Sequence, residues 1–90
     1  MLHTHGIQQE EVTTNGRFNV SLFKQRLIDV TQFGQCIYPK SQVRLAKQLG
    51  AKGDTDTISK AIVFAFNSAD VRLKRRVEKG VGYVYEKIAE

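Results

Sequence analysis

The sequence predicts a mainly α-helical domain with a three-helix core and a small C-terminal β-hairpin. Apolar residues recur at helical spacing in three segments, at 19–33, 41–50 and 55–69. After Asp70 the period changes to two on both sides of a glycine-containing turn, which is typical of a hairpin. The chain has 90 residues, enough for one domain with a modest core.

Residues 1–16 contain few apolar side chains and no sustained period. They are predicted to be a flexible N-terminal tail, and residues 17–90 are predicted to form the folded domain. His3 and His5 lie in this tail, but no Cys or His cluster accompanies them, so we expect no metal site.

The first helix is predicted to begin at Asn19, whose side chain can cap the free amides of the first turn, and to end at Gly34. Its expected core-facing residues are Val20, Phe23, Leu27, Ile28 and Val30. Residues 35–38 then form a short strand or an extended connector, because Pro39 forces the residue before it out of helical conformation.

Two further helices are predicted within residues 41–66, separated by a break of small and polar residues. The first ends at Gly50. Its apolar face is formed by Val43, Leu45, Ala46 and Leu49. The second starts near Thr55, where four successive Asp and Thr residues offer N-cap acceptors. Its wide apolar stripe faces a core and consists of Ile58, Ala61, Ile62, Ala65, Phe66 and Ala69.

The hairpin is predicted from alternation before and after a turn at residues 78–80. The alternating positions are Val71, Leu73, Arg75 and Val77, then Val81, Tyr83 and Tyr85. A rival interpretation continues the preceding helix through Leu73 and Val77. Gly80, Gly82 and the β-branched and aromatic residues after them favour the hairpin.

The net charge of +5 lies entirely in the second part of the chain. Residues 1–39 carry three Lys and Arg and three Asp and Glu, whereas residues 40–90 carry eleven and six. A polyanion is the partner that this distribution indicates.

Several short motifs follow one another along the second half of the chain. LAKQLG is followed by a turn, TISKAI, a basic strand and GVGYV. The matching residues are Pro39, Ser41, Leu45, Ala46, Leu49, Gly50, Thr57, Ile58, Ala61, Ile62, Lys74, Arg75, Arg76, Gly80, Gly82, Tyr83 and Val84. In this order they resemble the winged helix-turn-helix DNA-binding domain of bacterial regulators of the gluconate-repressor type. The turn between the helices is about two residues longer than in the compact prokaryotic form.

The resemblance implies a bacterial, phage or plasmid transcription regulator, such as a repressor. It would place the helix at about 56–68 in the major groove of double-stranded DNA and a basic wing on the backbone or minor groove. If the apolar stripe faces the core, the opposite face of this helix meets base edges. The candidate DNA-binding residues are Lys40, Ser41, Gln42, Arg44, Lys47, Lys52, Thr55, Thr57, Ser59, Lys60, Asn67, Arg72, Lys74, Arg75, Arg76 and Lys79.

Val63 and Phe64 add apolar side chains to the flank and outer face of the same helix. In one interpretation Phe64 touches a thymine methyl group, and in the other the two residues form an interface with another subunit or protein. The resemblance implies a homodimer, because two half-sites add affinity without new kinds of contact.

Two other functions stay open from the sequence. A ribbon-helix-helix DNA binder would take its strand from residues 17–22 or 35–38, and a winged-helix protein-interaction module would bind a partner protein through Phe64 and the tyrosines. We expect neither an enzyme nor a cofactor, because no P-loop, dinucleotide motif, metal-ligand cluster or catalytic triad is present.

The sequence predicts a cytoplasmic protein without a membrane segment. No apolar run approaches the ~20 residues that span a bilayer. The sequence also shows no charged and then apolar leader followed by a small-residue cleavage site. Cys36 is the single cysteine and cannot form an internal disulfide, which suits a reducing compartment.

Overall fold

Four α-helices, one 3-10 helix and five strands occur within residues 7–90, the part of the chain that this computed structural model describes. The elements are, in order, α1 (Gln9–Val12), β1 (Thr13–Thr14), β2 (Arg17–Phe18), α2 (Val20–Val30), β3 (Cys36–Ile37), a 3-10 helix (Pro39–Gln42), α3 (Val43–Gln48), α4 (Thr55–Asn67), β4 (Leu73–Glu78) and β5 (Gly82–Lys87). Along this stretch, no helix has the length and apolar character that crossing a membrane requires.

The predicted fold class, a mainly α winged helix-turn-helix domain with a three-helix core, is wrong. The structure is a mixed α/β domain: of the described residues, 45% are helical and 21% lie in strands, with four α-helices and two antiparallel sheets. One sheet pairs β1 with β2, and the other has the strand order β3-β5-β4. Strands of two residues are too short to show a period, so the sequence pattern reveals less sheet than the chain forms.

The N-terminal residues that the structure describes belong to the folded domain. Ile7 and Val12 are 1% and 0% exposed and lie in the hydrophobic core. Thr13 Oγ1 donates a hydrogen bond to the carbonyl oxygen of Leu49 at 2.5 Å, which attaches β1 to the end of α3. Residues 7–16 therefore differ from the flexible tail that the sequence predicts.

The remainder of that predicted tail, with His3 and His5, lies outside the described residues.

α2 begins where the sequence predicts. Its N-cap is Asn19, whose Oδ1 accepts a hydrogen bond from the backbone N–H of Leu22 at 3.0 Å. Phe23, Leu27 and Ile28 of this helix enter the core. Val30, also expected in the core, is 45% exposed. It is the last residue of the helix, and the backbone becomes extended at the next residue, Thr31.

Gly50 ends α3 in the way the sequence predicts, with φ at +111°. The N–H groups of Gly50 and Ala51 donate to the carbonyl oxygens of Lys47 and Ala46 at 3.1 and 2.9 Å, which completes a Schellman motif. A Cβ atom at Gly50 would lie 2.7 Å from Thr13 Oγ1. The turn therefore requires glycine both for its backbone conformation and for its close contact with β1.

α4 follows this turn and is capped by Asp54, which accepts the N–H of Thr57 at 2.8 Å. This hydrogen bond lowers the pKa of the Asp54 carboxyl. The large residues of the predicted stripe are buried, and they are Ile58, Ile62 and Phe66. Ala61 and Ala69 are exposed, so the buried stripe is narrower than the sequence predicts.

β4 and β5 form the predicted hairpin, with Arg75 opposite Tyr85 and Glu78 opposite Gly82. β3 pairs with the other edge of β5, and this places β5 at the centre of the sheet. The ring centroids of Tyr85 and Phe66 are 5.3 Å apart. The hairpin therefore packs on the C-terminal half of α4.

Candidate nucleic-acid interface

The outer face of α4 is exposed because the opposite face is buried in the core. Phe64 is the most prominent side chain there, with 78% of its surface exposed. A groove of about 420 Å³ runs along this face. It is lined by Lys40, Asp56, Ser59, Lys60, Val63, Phe64 and Asn67. Lys40 belongs to the 3-10 helix, so two elements contribute to one surface.

A second depression, of about 350 Å³, adjoins the first at Lys40. It is lined by Lys40, Ser41, Val43, Arg44, Lys47 and Thr55. Lys47 Nζ donates a hydrogen bond to Thr55 Oγ1 at 3.1 Å, which links α3 to the first turn of α4. The residues that line these two depressions are called the α4 surface below.

The β4–β5 hairpin borders the α4 surface at Gly82. An atom in the Cβ position of Gly82 would lie 3.7 Å from Lys40 Nζ. The hydroxyl of Tyr38, just before the 3-10 helix, donates to Glu78 Oε2 at 3.4 Å, and the negative charge of Glu78 raises the pKa of Tyr38. Lys79, in the turn of the hairpin, is exposed beside this edge of the surface.

Asn67 is positioned by the sheet. The hydroxyl of Tyr85 donates to Asn67 Oδ1 at 2.8 Å, and burial raises the pKa of Tyr85, so the hydroxyl keeps its proton. This bond uses the oxygen of the Asn67 amide. The two N–H donors on Nδ2 take no part in it and can serve another acceptor.

Lys60 forms an ion pair with Asp56 one helical turn away, with 3.1 Å between Lys60 Nζ and Asp56 Oδ2. Both side chains are at least three-quarters exposed, so the attraction between them is weakened by water and salt. A phosphate or a base acceptor can therefore replace Asp56 as the partner of Lys60.

The basic residues of β4 lie on opposite faces of the sheet, because successive residues of a strand alternate. Arg75 lies with its guanidinium carbon 4.5 Å from the ring centroid of Tyr83. Lys74 and Arg76 lie on the other face, where Arg76 Nη2 is 3.3 Å from Cys36 Sγ. The structure does not bring Lys74 and Arg76 together with the α4 surface.

Arg72 lies in an ion-pair network outside the α4 surface. Its Nε and Nη2 atoms are 3.1 and 3.0 Å from the two carboxylate oxygens of Asp70, and Nη1 is 3.5 Å from Asp29 Oδ1. Gln25 Oε1 accepts a further hydrogen bond from Nη2. The Arg72 side chain is 20% exposed, so its role is to attach the segment before β4 to α2.

Two lysines that count toward the net charge are also structural. Lys24 and Lys87 are 6% and 3% exposed. Lys87 Nζ donates to the carbonyl oxygen of Ile28 at 2.8 Å, in the last turn of α2, where the helix dipole favours a positive charge. A sequence pattern does not reveal such lysines, because lysine is almost never fully buried without a partner.

Lys52 and Thr57 line a cavity next to β2 and not the α4 surface. Arg17 lines the same cavity and was not among the predicted site residues. No sequence signal marks it, since the two-residue strands of the β1–β2 hairpin show no period. Gln42 belongs to the 3-10 helix but lines neither depression of the α4 surface.

Within residues 7–90, no three His, Cys, Asp or Glu side chains come close enough to hold a metal ion. The α4 surface instead offers ammonium and guanidinium groups, hydroxyl and amide donors, and one exposed aromatic ring. Such a surface can bind a polyanion that also presents flat or methylated groups.

Comparison with protein-family models, with curated proteins and with solved structures gives no significant match.

The Asp70 network leads to a prediction about stability. Hydrogen bonds from Arg72 are the main reason that the pKa of Asp70 is lowered in the folded chain. Stability from this carboxylate is therefore present above its unfolded pKa and is lost as the pH falls through its folded pKa. Asp70→Asn should lower the free energy of unfolding at pH 7 by about 2 kcal/mol, measured by urea denaturation, and should flatten the acid side of the stability profile.

Asp56→Asn is the matched control, because Asp56 is 75% exposed and its pair with Lys60 contributes little. Equal stability of Asp70→Asn and the unchanged chain at pH 7 would contradict the structural role of the network.

Proposed function

We propose that this chain binds double-stranded DNA through the α4 surface and acts as a bacterial, phage or plasmid transcription regulator. The observation that carries the proposal is the continuity of the surface. Cations of the 3-10 helix and α3 flank the outer face of α4, and the hairpin borders the same surface at Gly82. The resemblance to gluconate-repressor-type regulators stays a prediction, as does a cytoplasmic location.

The dimensions of α4 suit the major groove. Its 13 residues give a length of about 20 Å, and a major groove about 12 Å wide admits an α-helix. The side chains that would meet base edges are those with free donors or apolar surface on the outer face: Lys60, Phe64 and Asn67.

Phosphate contacts are assigned to Lys40, Arg44 and Lys47. All three are exposed, and within residues 7–90 none of them forms an ion pair. Their charges are therefore available to neutralise a backbone and release counterions. Lys79 in the hairpin turn is placed to extend the same contacts.

Other predicted residues do not support the proposal. Arg72 is held in its ion-pair network, and Lys74 and Arg76 face away from Arg75 across the sheet. The 3-10 helix and α3 therefore contribute more of the sequence-independent affinity for DNA than β4 does.

We further propose that the protein works as a homodimer with Phe64 on DNA and not in the subunit interface. Phe64 lines the same groove as Lys40 and Lys60, where burial against a second subunit would also bury like charges. A single short helix reads few base pairs, so two half-sites would supply the specificity that a repressor needs.

A protein-interaction module is the second candidate function. It is favoured by the exposed apolar side chains of Phe64, Val77 and Tyr83, at 78%, 73% and 45% exposure. Binding to such a partner would depend weakly on salt, whereas phosphate contacts make DNA binding steeply salt-dependent. The ribbon-helix-helix alternative has less support, because β2 and β3 each have two residues and already pair with another strand of this chain.

Lys40→Gln tests the phosphate contacts. It should weaken binding to specific and random duplexes alike and reduce the slope of log affinity against log salt by about 1. Lys74→Gln removes the same charge from the opposite face of the sheet and should leave the slope unchanged. Fluorescence anisotropy over a salt series measures both, and a slope change for Lys74→Gln alone would overturn the assignment.

Phe64→Ala tests the outer face of α4 on a duplex selected from random sequence. It should lower affinity where one position is thymine, because the ring would contact the methyl group there, and should leave sedimentation of the free protein unchanged. Val71→Ala, at a valine that is 91% exposed elsewhere on the chain, is the control. Loss of self-association with intact affinity for a single half-site would assign Phe64 to an interface instead.

A further inference from the structure

A cavity of about 440 Å³ lies between β2 and the N-terminal half of α4. It exists because the residues that could fill it are small: Gly16, Gly50, Ala51 and Ala61. The cavity is open to solvent at Gly16, Arg17, Lys52 and Thr57, and its volume falls in the range of small-molecule sites. None of the residues that line this cavity belongs to the α4 surface.

The floor of the cavity is apolar and rigid. Ile58 and Ile62 are 4% and 1% exposed and lie beneath it in the core, so the apolar surface that a ligand can reach belongs to Phe18, Val20 and Ala61. Phe18 forms part of the wall, and its ring lies 5.2 Å from that of Phe23, so it is held by packing. A ligand that covers this floor removes apolar surface from water, which favours an apolar ligand body.

The remaining lining carries positive charge. Arg17 and Lys52 are exposed, and none of the described residues that line the cavity is Asp or Glu. Within the described residues neither cation takes part in an ion pair. The hydroxyl of Thr57 adds a hydrogen-bond donor beside them.

We propose that this cavity binds a small amphipathic monocarboxylate. Its apolar body packs on Phe18, Val20 and Ala61, and its carboxylate meets Arg17 and Lys52. A neutral apolar molecule would not use the two cations, and a compact polyanion would not use the apolar floor. The charge-assisted hydrogen bonds of a carboxylate satisfy both features.

Occupancy of the cavity has a consequence that rests on the proposed function. Lys52 lies in the turn before α4, and Thr57 follows Thr55 and Asp56 of the α4 surface in the first turn of that helix, so a bound anion would neutralise positive charge close to the DNA. The ligand should therefore lower affinity for DNA. Ligand binding itself needs no DNA and is tested without it.

The probe is sodium decanoate, below its micelle concentration, titrated into the ¹⁵N-labelled full chain and followed by NMR. Decanol, which has the same apolar chain without the charge, is titrated in parallel. Amide shifts should be confined to residues 16–20, 50–52 and 57–62, and decanoate should bind at least about tenfold more tightly than decanol.

Two variants decide the assignment. Ala61→Leu fills the cavity and should abolish binding of both probes, with a dispersed amide spectrum as the check on folding. Arg17→Gln leaves the cavity open and should weaken decanoate about tenfold while decanol is unchanged. Lys74→Gln, with the same loss of charge far from the cavity, should bind decanoate as the unchanged chain does.

Decanoate binding that survives Ala61→Leu, shifts centred on Phe64 instead of the cavity, or the absence of any saturable shift would each overturn the proposal. A failure of DNA binding would leave all these readouts intact. A decanoate effect on DNA affinity that persists in Ala61→Leu would show that the ligand acts elsewhere.

Discussion

Burial of the Ile58, Ile62 and Phe66 stripe is the constraint on which the rest of the structure depends. Because these residues lie at four-residue spacing, burying all three fixes the rotation of α4 about its axis. That rotation places Phe64 and Lys60 outside. It also sets the hairpin, since Phe66 packs against Tyr85 and Asn67 accepts a hydrogen bond from the Tyr85 hydroxyl. The exposed outer face of α4 and the position of the hairpin therefore both follow from the burial of these three residues.

Charged side chains have different roles beside α2 and on the α4 surface. Three acidic side chains form ion pairs beside α2, where Asp29 and Asp70 hold Arg72, and where Arg26 Nε is 3.0 Å from Glu11 Oε2. Cations on that side are used for structure. The 3-10 helix and α3 add cations to the α4 surface. Its acidic neighbours include Asp56, which lines it, and Asp54, whose carboxyl interacts with Lys47. The net charge of +5 therefore includes cations that ion pairs beside α2 already use.

The sequence predicts the elements that depend on local interactions. The caps at Asn19 and Asp54, the glycine stop at Gly50 and the β4–β5 hairpin all follow from side chains a few residues apart. The mixed α/β class is missed because it depends on pairing across the chain, such as Ile37 with Tyr85. The candidate site is predicted in part: the helical period places Phe64 outside, but no local pattern reveals that Arg72 is held by Asp70 and Asp29.

The most direct test of the α4 surface is an amide chemical-shift map of the ¹⁵N-labelled chain with a duplex of about two helical turns. Shifts should concentrate in residues 40–47, 55–67 and 79–82 and should diminish as salt is raised, because phosphate contacts release counterions. Shifts concentrated on the Lys74 and Arg76 face of the sheet, or no shifts at low salt, would contradict the account.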